Sequence, residues 1–290
     1  MDFGRLPINE VGKTDFRLPA EPERNSHVLA GQHANGKVYI GMPQWGTPAW
    51  VGSLYPDGTK QATFLSYYTG HFNTVELNAT HYNIFDEKII SKWAGAVNNA
   101  AFRFCPKMFK GVTHSGNLDK KVEVLIKFLD SVKLFGKYLG PIFIQLSEYF
   151  SANKSKELFL FAESLPTGFQ FFLELRHPSL LNNVALFDYL QTKNIGAVIT
   201  DTAGRRDCAH MQLTVPKTMI RFVCNDGHPS DYTRIDEWAV RIKSWLDRGM
   251  EEVYFFVHMQ DEKNSLAMAN YVIEKINATC HLTIPPIKLH

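Results

Sequence analysis

Eight short apolar segments, most of them followed by a longer amphipathic stretch, constrain the fold of this chain more than any other feature. Such repetition is typical of βα units, in which helices cover both faces of a parallel sheet. Eight strands of this kind predict a closed (β/α)8 barrel of the TIM type rather than an open sheet. The predicted strands are VYIG (38–41), TVELN (74–78), FRFCPK (102–107), PIFIQL (141–146), FQFFLEL (169–175), GAVITD (196–201), TMIRFV (218–223) and VYFFVH (253–258).

The segments between these strands mostly have the spacing of amphipathic helices. In KKVEVLIKFLDSVKLFG, for example, Val122, Leu125 and Leu129 lie three or four residues apart and form one apolar stripe. The segment between strands six and seven is too polar to predict a good helix. No linker interrupts the repeat, so we predict one α/β barrel over residues 37–280. A polar extension over 1–36, either mobile or wrapped outside, and a tail over 281–290 flank it.

Composition limits the classes of function. The 31 Lys and Arg nearly balance the 29 Asp and Glu, and a net charge of +2 argues against a dedicated nucleic-acid coat or a membrane-surface patch. The four cysteines have no metal-ligand spacing and are expected to be free thiols in a reducing compartment. No signal peptide or membrane-length apolar run is recognisable, so a cytoplasmic protein is expected.

Polar residues follow the ends of the predicted strands, where barrels of this type build their sites. Glu174, Asp201 and Glu76 are the candidate catalytic residues, because carboxylates at strand ends can exchange protons with a ligand. Cationic side chains at the same ends could neutralise an anion: they are Lys107, Arg176 and Arg221. The other candidate ligand-binding residues are Trp45, Asn78, Tyr82, His114, Gln145 and His177.

Alternation along strand five separates its polar residues into two sets. Successive strand residues point to opposite faces, so Glu174 and Arg176 share one face, and Leu175 and His177 share the other. We expect Glu174 and Arg176 to face the barrel mouth and His177 to cap the loop that follows. For Arg176, a structural ion pair with a carboxylate and direct contact with a ligand are both open.

Several of these segments resemble, in order, the motifs of one family. GMPQWGTPAWVGSLYP is similar to its opening Gly, Trp and YP pattern, and FNTVELNATHY to its spacing of Phe, VE, Asn and Tyr. FRFCPKMFKGVTH resembles its F-x-F-x-x-K motif with Thr and His, and GPIFIQLSEYF, ELRHPS, VITD and MIRF complete the series. From about Tyr39 to about Asn277 the chain is thus similar to the domain of unknown function 72, or YecE-like, family.

The resemblance implies a TIM-type barrel and no particular reaction. The polar positions that it shares with the family are Trp45, Glu76, Asn78, Tyr82, Lys107, His114, Gln145, Glu174, Arg176, His177, Asp201 and Arg221. The chain departs from the pattern at two strands. Where the family usually has R-[LF]-H-G at strand seven, this chain has RFVCND, which puts Val223 and Cys224 at the His and Gly positions. At strand eight the usual YFNN is FFVH, which ends in His258.

Three functions fit these residues. The first is a barrel that binds or transforms a small polar anionic molecule, such as a phosphorylated one, at its mouth without a cofactor; whether it is an enzyme stays open. The second is a divalent-metal hydrolase such as a phosphodiesterase, opposed by the cationic residues and by the lack of local ligand pairs. Its candidate ligands are Glu76, His81, His114, Glu174, Asp201 and His258.

The third function is a non-catalytic module that binds a ligand or nucleic acid. It would use GRR, which places Arg205 and Arg206 in a loop after strand six, and the aromatic loop after strand one. In the first function the same two arginines could add a phosphate clamp. Solvated surface charge is the favoured interpretation of two arginines in so polar a loop. The near-neutral net charge also disfavours nucleic acid, because such binding depends on phosphate neutralisation. No oligomeric state is predicted.

Overall fold

Eight parallel strands form the centre of the molecule. The structure, a computed structural model, describes residues 4–31, 36–114 and 117–289, except for the side chain of Asp119. Every predicted strand is confirmed, with ends that differ by at most two residues. The strands are β1 Lys37–Met42, β2 Thr74–Leu77, β3 Arg103–Pro106, β4 Ile142–Gln145, β5 Phe171–Glu174, β6 Ile195–Asp201, β7 Lys217–Val223 and β8 Glu252–His258.

The strands curl into a nearly closed barrel, as predicted. Their order is β3-β2-β1-β8-β7-β6-β5-β4, so the ladder could be open only between β3 and β4. At that seam Gly140 N donates to Phe104 O (2.7 Å) and Met108 N donates to Phe143 O (2.9 Å). These bonds link the two edge strands, so all eight carboxyl ends surround one mouth.

Helices cover the outside of the barrel. The described residues form twelve α-helices: α1 Ile8–Val11, α2 Arg24–Val28, α3 Phe64–His71, α4 Ala79–Tyr82, α5 Glu87–Gly95, α6 Lys110–Thr113, α7 Val122–Val132, α8 Ser155–Ser164, α9 Pro178–Leu181, α10 Val184–Thr192, α11 Pro229–Asp247 and α12 Glu262–Cys280. Between β6 and β7, where no good helix was predicted, the chain forms only a 3-10 helix, Ala203–Cys208. No described helix is long and apolar enough to cross a membrane.

The interior of the barrel is filled by its own apolar cluster, separate from the core under the helices. The cluster contains Phe143, Phe172, Met219 and Tyr254, all at most 3% exposed. Gly196 makes room for it, because a Cβ at that position would come within 1.9 Å of the Phe172 ring. The barrel is therefore filled by side chains below its mouth, and in folds of this type the site lies at the carboxyl ends of the strands. All four cysteines are buried free thiols.

The described part of the N-terminal extension wraps along the outside of the barrel. Near its start, Gly4 O accepts a hydrogen bond from Gly204 N (2.6 Å). Further on, the buried Asn25 donates to Met211 O (2.7 Å) and accepts from Leu213 N (3.0 Å). These contacts hold the extension against the segment between β6 and β7, where a helix would cover the barrel in a more regular TIM fold.

Candidate functional site

Strand alternation brings a layer of polar side chains together on top of the apolar interior. Glu174 lies two residues after Phe172, and Arg221 two residues after Met219, so each pair shares the inward face. All members of the layer are less than 10% exposed. They are Glu76, Lys107, Gln145, Glu174, Thr200, Arg221 and His258.

Arg221 lies at the centre of this layer and joins its two carboxylates. Its Nε and Nη2 donate to Glu76 Oε2 (2.8 Å) and Oε1 (2.7 Å), and its Nη1 donates to Glu174 Oε2 (2.9 Å). Burial by itself would lower the pKa of Arg221, but the two carboxylates raise it. The guanidinium is therefore permanently charged and held in a fixed plane by bidentate contact.

Glu76 is fully hydrogen-bonded. Besides the two bonds from Arg221, Asn78 Nδ2 donates to its Oε1 (2.8 Å), and His258 Nε2 lies 2.9 Å from its Oε2. Burial would raise the pKa of Glu76, but Arg221 and His258 hold it well below its usual range. An ionised carboxylate only accepts, so His258 Nε2 carries the proton. Burial also lowers the pKa of His258, which leaves its Nδ1 as a potential proton acceptor.

Glu174 is also saturated. Its Oε1 accepts from Arg176 Nε (2.7 Å) and Thr200 Oγ1 (3.0 Å), and its Oε2 accepts from Gln145 Nε2 (2.8 Å) as well as from Arg221. Burial would raise the pKa of Glu174, but Arg176 and Arg221 lower it. With about four acceptor positions occupied on each carboxylate, Glu76 and Glu174 orient their neighbours and are poorly suited to serve as bases.

Lys107 is the cation of the layer that lacks a direct carboxylate partner. Its Nζ donates to Gln145 Oε1 (2.9 Å), and no described carboxylate lies within ion-pair distance of it. Burial lowers the pKa of Lys107 to about 8, with a further contribution from the charge of Arg221 and partial opposition from Glu174 and Glu76. The amine is thus mostly protonated at neutral pH but gives up its proton readily.

A cavity of about 470 Å³ opens directly above this layer. Glu76 and Glu174 lie behind its wall, whereas the cationic groups reach its surface. Among the described lining residues, one is an acid, Glu262, and four are Lys or Arg: Arg5, Lys107, Arg176 and Arg221. Both residues at which strand seven departs from the family pattern, Val223 and Cys224, also line it, as does His258. The cavity is thus polar and cationic.

Asp201 does not face the mouth. We had expected it there because it lies at the end of a strand. Its Oδ2 accepts from Trp238 Nε1 (2.8 Å), and its Oδ1 contacts Arg206 and Arg234. Trp238 and Arg234 belong to α11, outside the barrel wall. Alternation explains the error, since the neighbouring Thr200 takes the inward position opposite Arg221. Asp201 fastens α11 to the barrel and is not among the described residues that line the cavity.

The predicted residues of the first loops separate into two groups. Asn78, Gln145 and Tyr82 line the cavity, and Tyr82 is 60% exposed there. Trp45 instead packs edge-on against the ring of Trp93, with centroids 5.3 Å apart, and does not line the cavity. Its position indicates packing of the loop rather than contact with a ligand.

The two remaining predicted residues, His177 and His114, make local contacts in the loops after their strands. His177 accepts a hydrogen bond from Ser179 N (3.3 Å) at the start of α9, as expected of a capping residue. His114 contacts Thr113 Oγ1 (2.7 Å), and its ring centroid is 5.1 Å from that of His81. Neither His114 nor His177 is among the described residues that line the cavity.

Two observations concern the residues on which the metal and nucleic-acid alternatives depend. Within the described ranges, no three His, Cys, Asp or Glu side chains are grouped so that they could hold a metal ion. Arg205 is paired with Asp207 (3.0 Å) and Glu148 (3.2 Å), and Arg206 with Asp201. The arginines of GRR therefore serve intramolecular ion pairs, and their side chains are only partly exposed, at 23% for Arg205 and 18% for Arg206.

Several residues of the site were missed from the sequence, among them Thr200 and Arg5. Alternation along strand six separates Thr200 from Asp201, but only the register of β6 against β7 shows that Thr200 is the one that faces inward. No sequence pattern around Arg5 indicates that it belongs to the site. The folded extension brings it to the cavity, where its Nη2 donates to Asp226 Oδ2 (2.7 Å).

Comparison with known proteins gives a family. The model of the family described as "Protein of unknown function DUF72" matches residues 39–288. The UPF0759 protein YecE of Escherichia coli K12 is 26% identical over 272 residues, which cover 86% of this chain and 95% of that protein. The UPF0759 protein YunF of Bacillus subtilis is 30% identical over 129 residues, 42% of this chain and 44% of that protein.

Solved structures agree in fold. A crystal structure of a DUF72 family protein from Enterococcus faecalis V583 superposes with a TM-score of 0.67 at 17% identity, over 87% of this chain and 98% of the other. One from Thermotoga maritima MSB8 gives a TM-score of 0.63 at 20% identity, over 83% and 99% of the two chains. At these identities the likeness concerns the barrel alone.

Proposed function

This chain belongs to the DUF72 family of TIM-barrel proteins, and we propose that the mouth of its barrel binds a small polar molecule that carries an anionic group. A phosphate or carboxylate group fits the chemistry of the wall. The cavity volume of about 470 Å³ suits a metabolite-sized ligand rather than a polymer.

The observation that carries the proposal is that cationic side chains line the cavity, whereas the carboxylates that pair with them lie behind its wall. Glu76 and Glu174 are at most 1% exposed, and their lone pairs are used by groups of the layer. A ligand would therefore meet the side chains of Lys107, Arg176 and Arg221 without meeting the carboxylates that orient them. Guanidinium groups fixed in this way recognise phosphate and carboxylate with little loss of side-chain entropy.

The position of Arg176 is compatible with both of the roles that were open for it. Its Nε pairs with Glu174 Oε1 at 2.7 Å, which is the structural role. Its side chain is nevertheless 13% exposed and lines the cavity. Glu174 retains Arg221, Gln145 and Thr200 when Arg176 is removed, so this arginine can be replaced without leaving Glu174 unpaired. Arg176 is therefore the residue through which anion binding can be tested.

The test is the shift in melting temperature on adding inorganic phosphate. For a dissociation constant on the order of 1 mM, 50 mM phosphate stabilises the protein by roughly 2.3 kcal/mol. At the usual entropy of unfolding this is about 4 °C for a chain of 290 residues. Potassium chloride at equal ionic strength controls for salt, and a series of sugar phosphates and carboxylates then ranks the ligands.

Arg176→Met should lose at least half of the phosphate-induced shift, whatever its own melting temperature. The matched control is Lys127→Met, which removes a positive charge from the exposed face of α7, remote from the cavity lining. The control should keep the full shift. Equal stabilisation by phosphate and chloride in the wild type, or an undiminished phosphate shift in Arg176→Met, would refute the proposed site.

A further inference from the structure

The environment of the Lys107 amine is unusual for a lysine. The side chain is 9% exposed, yet it lines the cavity, and Nζ has a neutral amide, Gln145 Oε1, as its hydrogen-bond acceptor at 2.9 Å. The orientation of that amide is fixed, because Gln145 Nε2 donates to Glu174 Oε2 (2.8 Å), and an ionised carboxylate cannot donate. Glu174 thus positions Gln145, and Gln145 positions the amine.

We propose that Lys107 forms an imine with a small carbonyl compound that carries an anionic group. This inference rests on the proposed anion site and narrows its ligand to aldehydes and ketones with a carboxylate or phosphate. Arg176 and Arg221 would hold the anionic end, and the amine would meet the carbonyl carbon.

The protonation state of the amine supports this chemistry. Only the neutral amine has the lone pair that attacks a carbonyl. With the pKa of Lys107 lowered by burial to about 8, about a tenth of the amine is neutral at pH 7. For an ordinary lysine the neutral fraction is smaller by roughly two orders of magnitude. A lysine whose only task was to hold an anion would gain nothing from this loss of charge.

The reaction is balanced without any further reactant. The amine nitrogen attacks the carbonyl carbon, a C–N bond forms, and the carbonyl electron pair moves to oxygen, which takes up one proton. The two hydrogens of the neutral amine finally leave with the oxygen as one molecule of water, and a C=N bond remains. No group is oxidised or reduced. The neutral His258, with Nδ1 as acceptor, lines the same cavity and can carry the proton between nitrogen and oxygen.

Reductive trapping tests the inference. The full-length protein is incubated with glyoxylate and sodium cyanoborohydride, which reduces an imine to a stable secondary amine, and modified lysines are located by peptide mass spectrometry. Methyl glyoxylate has the same aldehyde without the charge and serves as the neutral probe. We expect Lys107 to be modified by glyoxylate at least tenfold faster than the exposed Lys127, with a rate that rises with pH through about 8.

Two comparisons connect the modification to the site. Added phosphate should slow glyoxylate modification of Lys107 and leave Lys127 unaffected, and methyl glyoxylate should lose most of the preference for Lys107. Lys107→Arg should remove the modification at position 107, because a guanidinium forms no imine under these conditions. Lys127→Arg should remove the modification at position 127 and leave that of Lys107 unchanged.

The outcomes separate this inference from the proposed function. If phosphate stabilises the wild type but glyoxylate modifies Lys107 no faster than Lys127, the imine is refuted and the anion site stands. If phosphate gives no specific stabilisation and both probes modify Lys107 equally fast, the anion site fails, and with it the claim that the carbonyl compound is anionic.

Discussion

Replacing Arg221 by methionine should destabilise the protein more than any other single change in the mouth. Arg221 is 2% exposed and neutralises two carboxylates that are at most 1% exposed. Removing one partner of a buried ion pair costs roughly 3–5 kcal/mol, because the other charge stays buried without compensation. In Arg221→Met, Glu174 keeps its pair with Arg176, whereas Glu76 keeps only Asn78 and His258. Most of the loss therefore falls on Glu76.

We expect the free energy of unfolding to fall by about 5 kcal/mol, near the upper end of that range. For a chain of this length this lowers the melting temperature by roughly 8 °C. The loss should depend on pH. In the wild type the pKa of Glu76 lies below its ordinary value of 4.5, so its stabilising contribution is present above that pH and is lost as the pH falls through the lower, folded value. In the variant, burial without Arg221 raises this pKa, and protonation relieves the penalty. The difference between the two proteins should therefore shrink from pH 7 towards pH 4.

Thermal and urea unfolding of both proteins between pH 4 and pH 8 would measure this difference. The matched control is Lys243→Met, which breaks an ion pair with Asp247 (2.6 Å) on the surface of α11 and should cost less than about 0.5 kcal/mol. If Arg221→Met costs no more than the control, or if its cost is the same at pH 4 and pH 7, Arg221 does not neutralise Glu76 in the way described.

Two further predictions concern groups with different roles. Asp201→Asn should lower the free energy of unfolding by about 2–4 kcal/mol, because it weakens the contacts with Arg206 and Arg234. Phosphate should still raise the melting temperature of the variant as it does that of the wild type. Loss of this phosphate-induced shift would indicate that Asp201 contributes to the binding site. For Lys107, whose folded pKa of about 8 lies below the ordinary 10.5, the unfolded chain binds more protons between these values, so this group makes stability rise with pH across that window. Lys107→Met should lack that rise in a pH series of urea midpoints, and a variant curve parallel to the wild type would contradict the lowered pKa.

Much of the fold follows from properties that are local in the chain. An apolar run covered on both faces is readable from a few neighbouring residues, and eight such runs in succession leave few architectures. The alternation of side chains is equally local, and it correctly separated Glu174 and Arg176 from His177. It would also have assigned Thr200 rather than Asp201 to the mouth, had the register of β6 against β7 been known.

The tertiary structure alone decided which polar groups satisfy one another. Arg221 meets Glu76 across 145 residues of sequence, and Arg5 reaches Asp226 across 221. Pairings at such separations depend on strand register, barrel closure and the path of the extension, none of which is determined by neighbouring residues. The sequence shows that carboxylates and cations occur at the strand ends. Only the packed barrel decides that Glu76 and Glu174 are ionised with all their acceptor positions occupied, that Asp201 faces outward, and that Lys107 is buried beside a neutral amide. Burial and hydrogen bonding set the charge of each group, and both arise only when distant segments pack together.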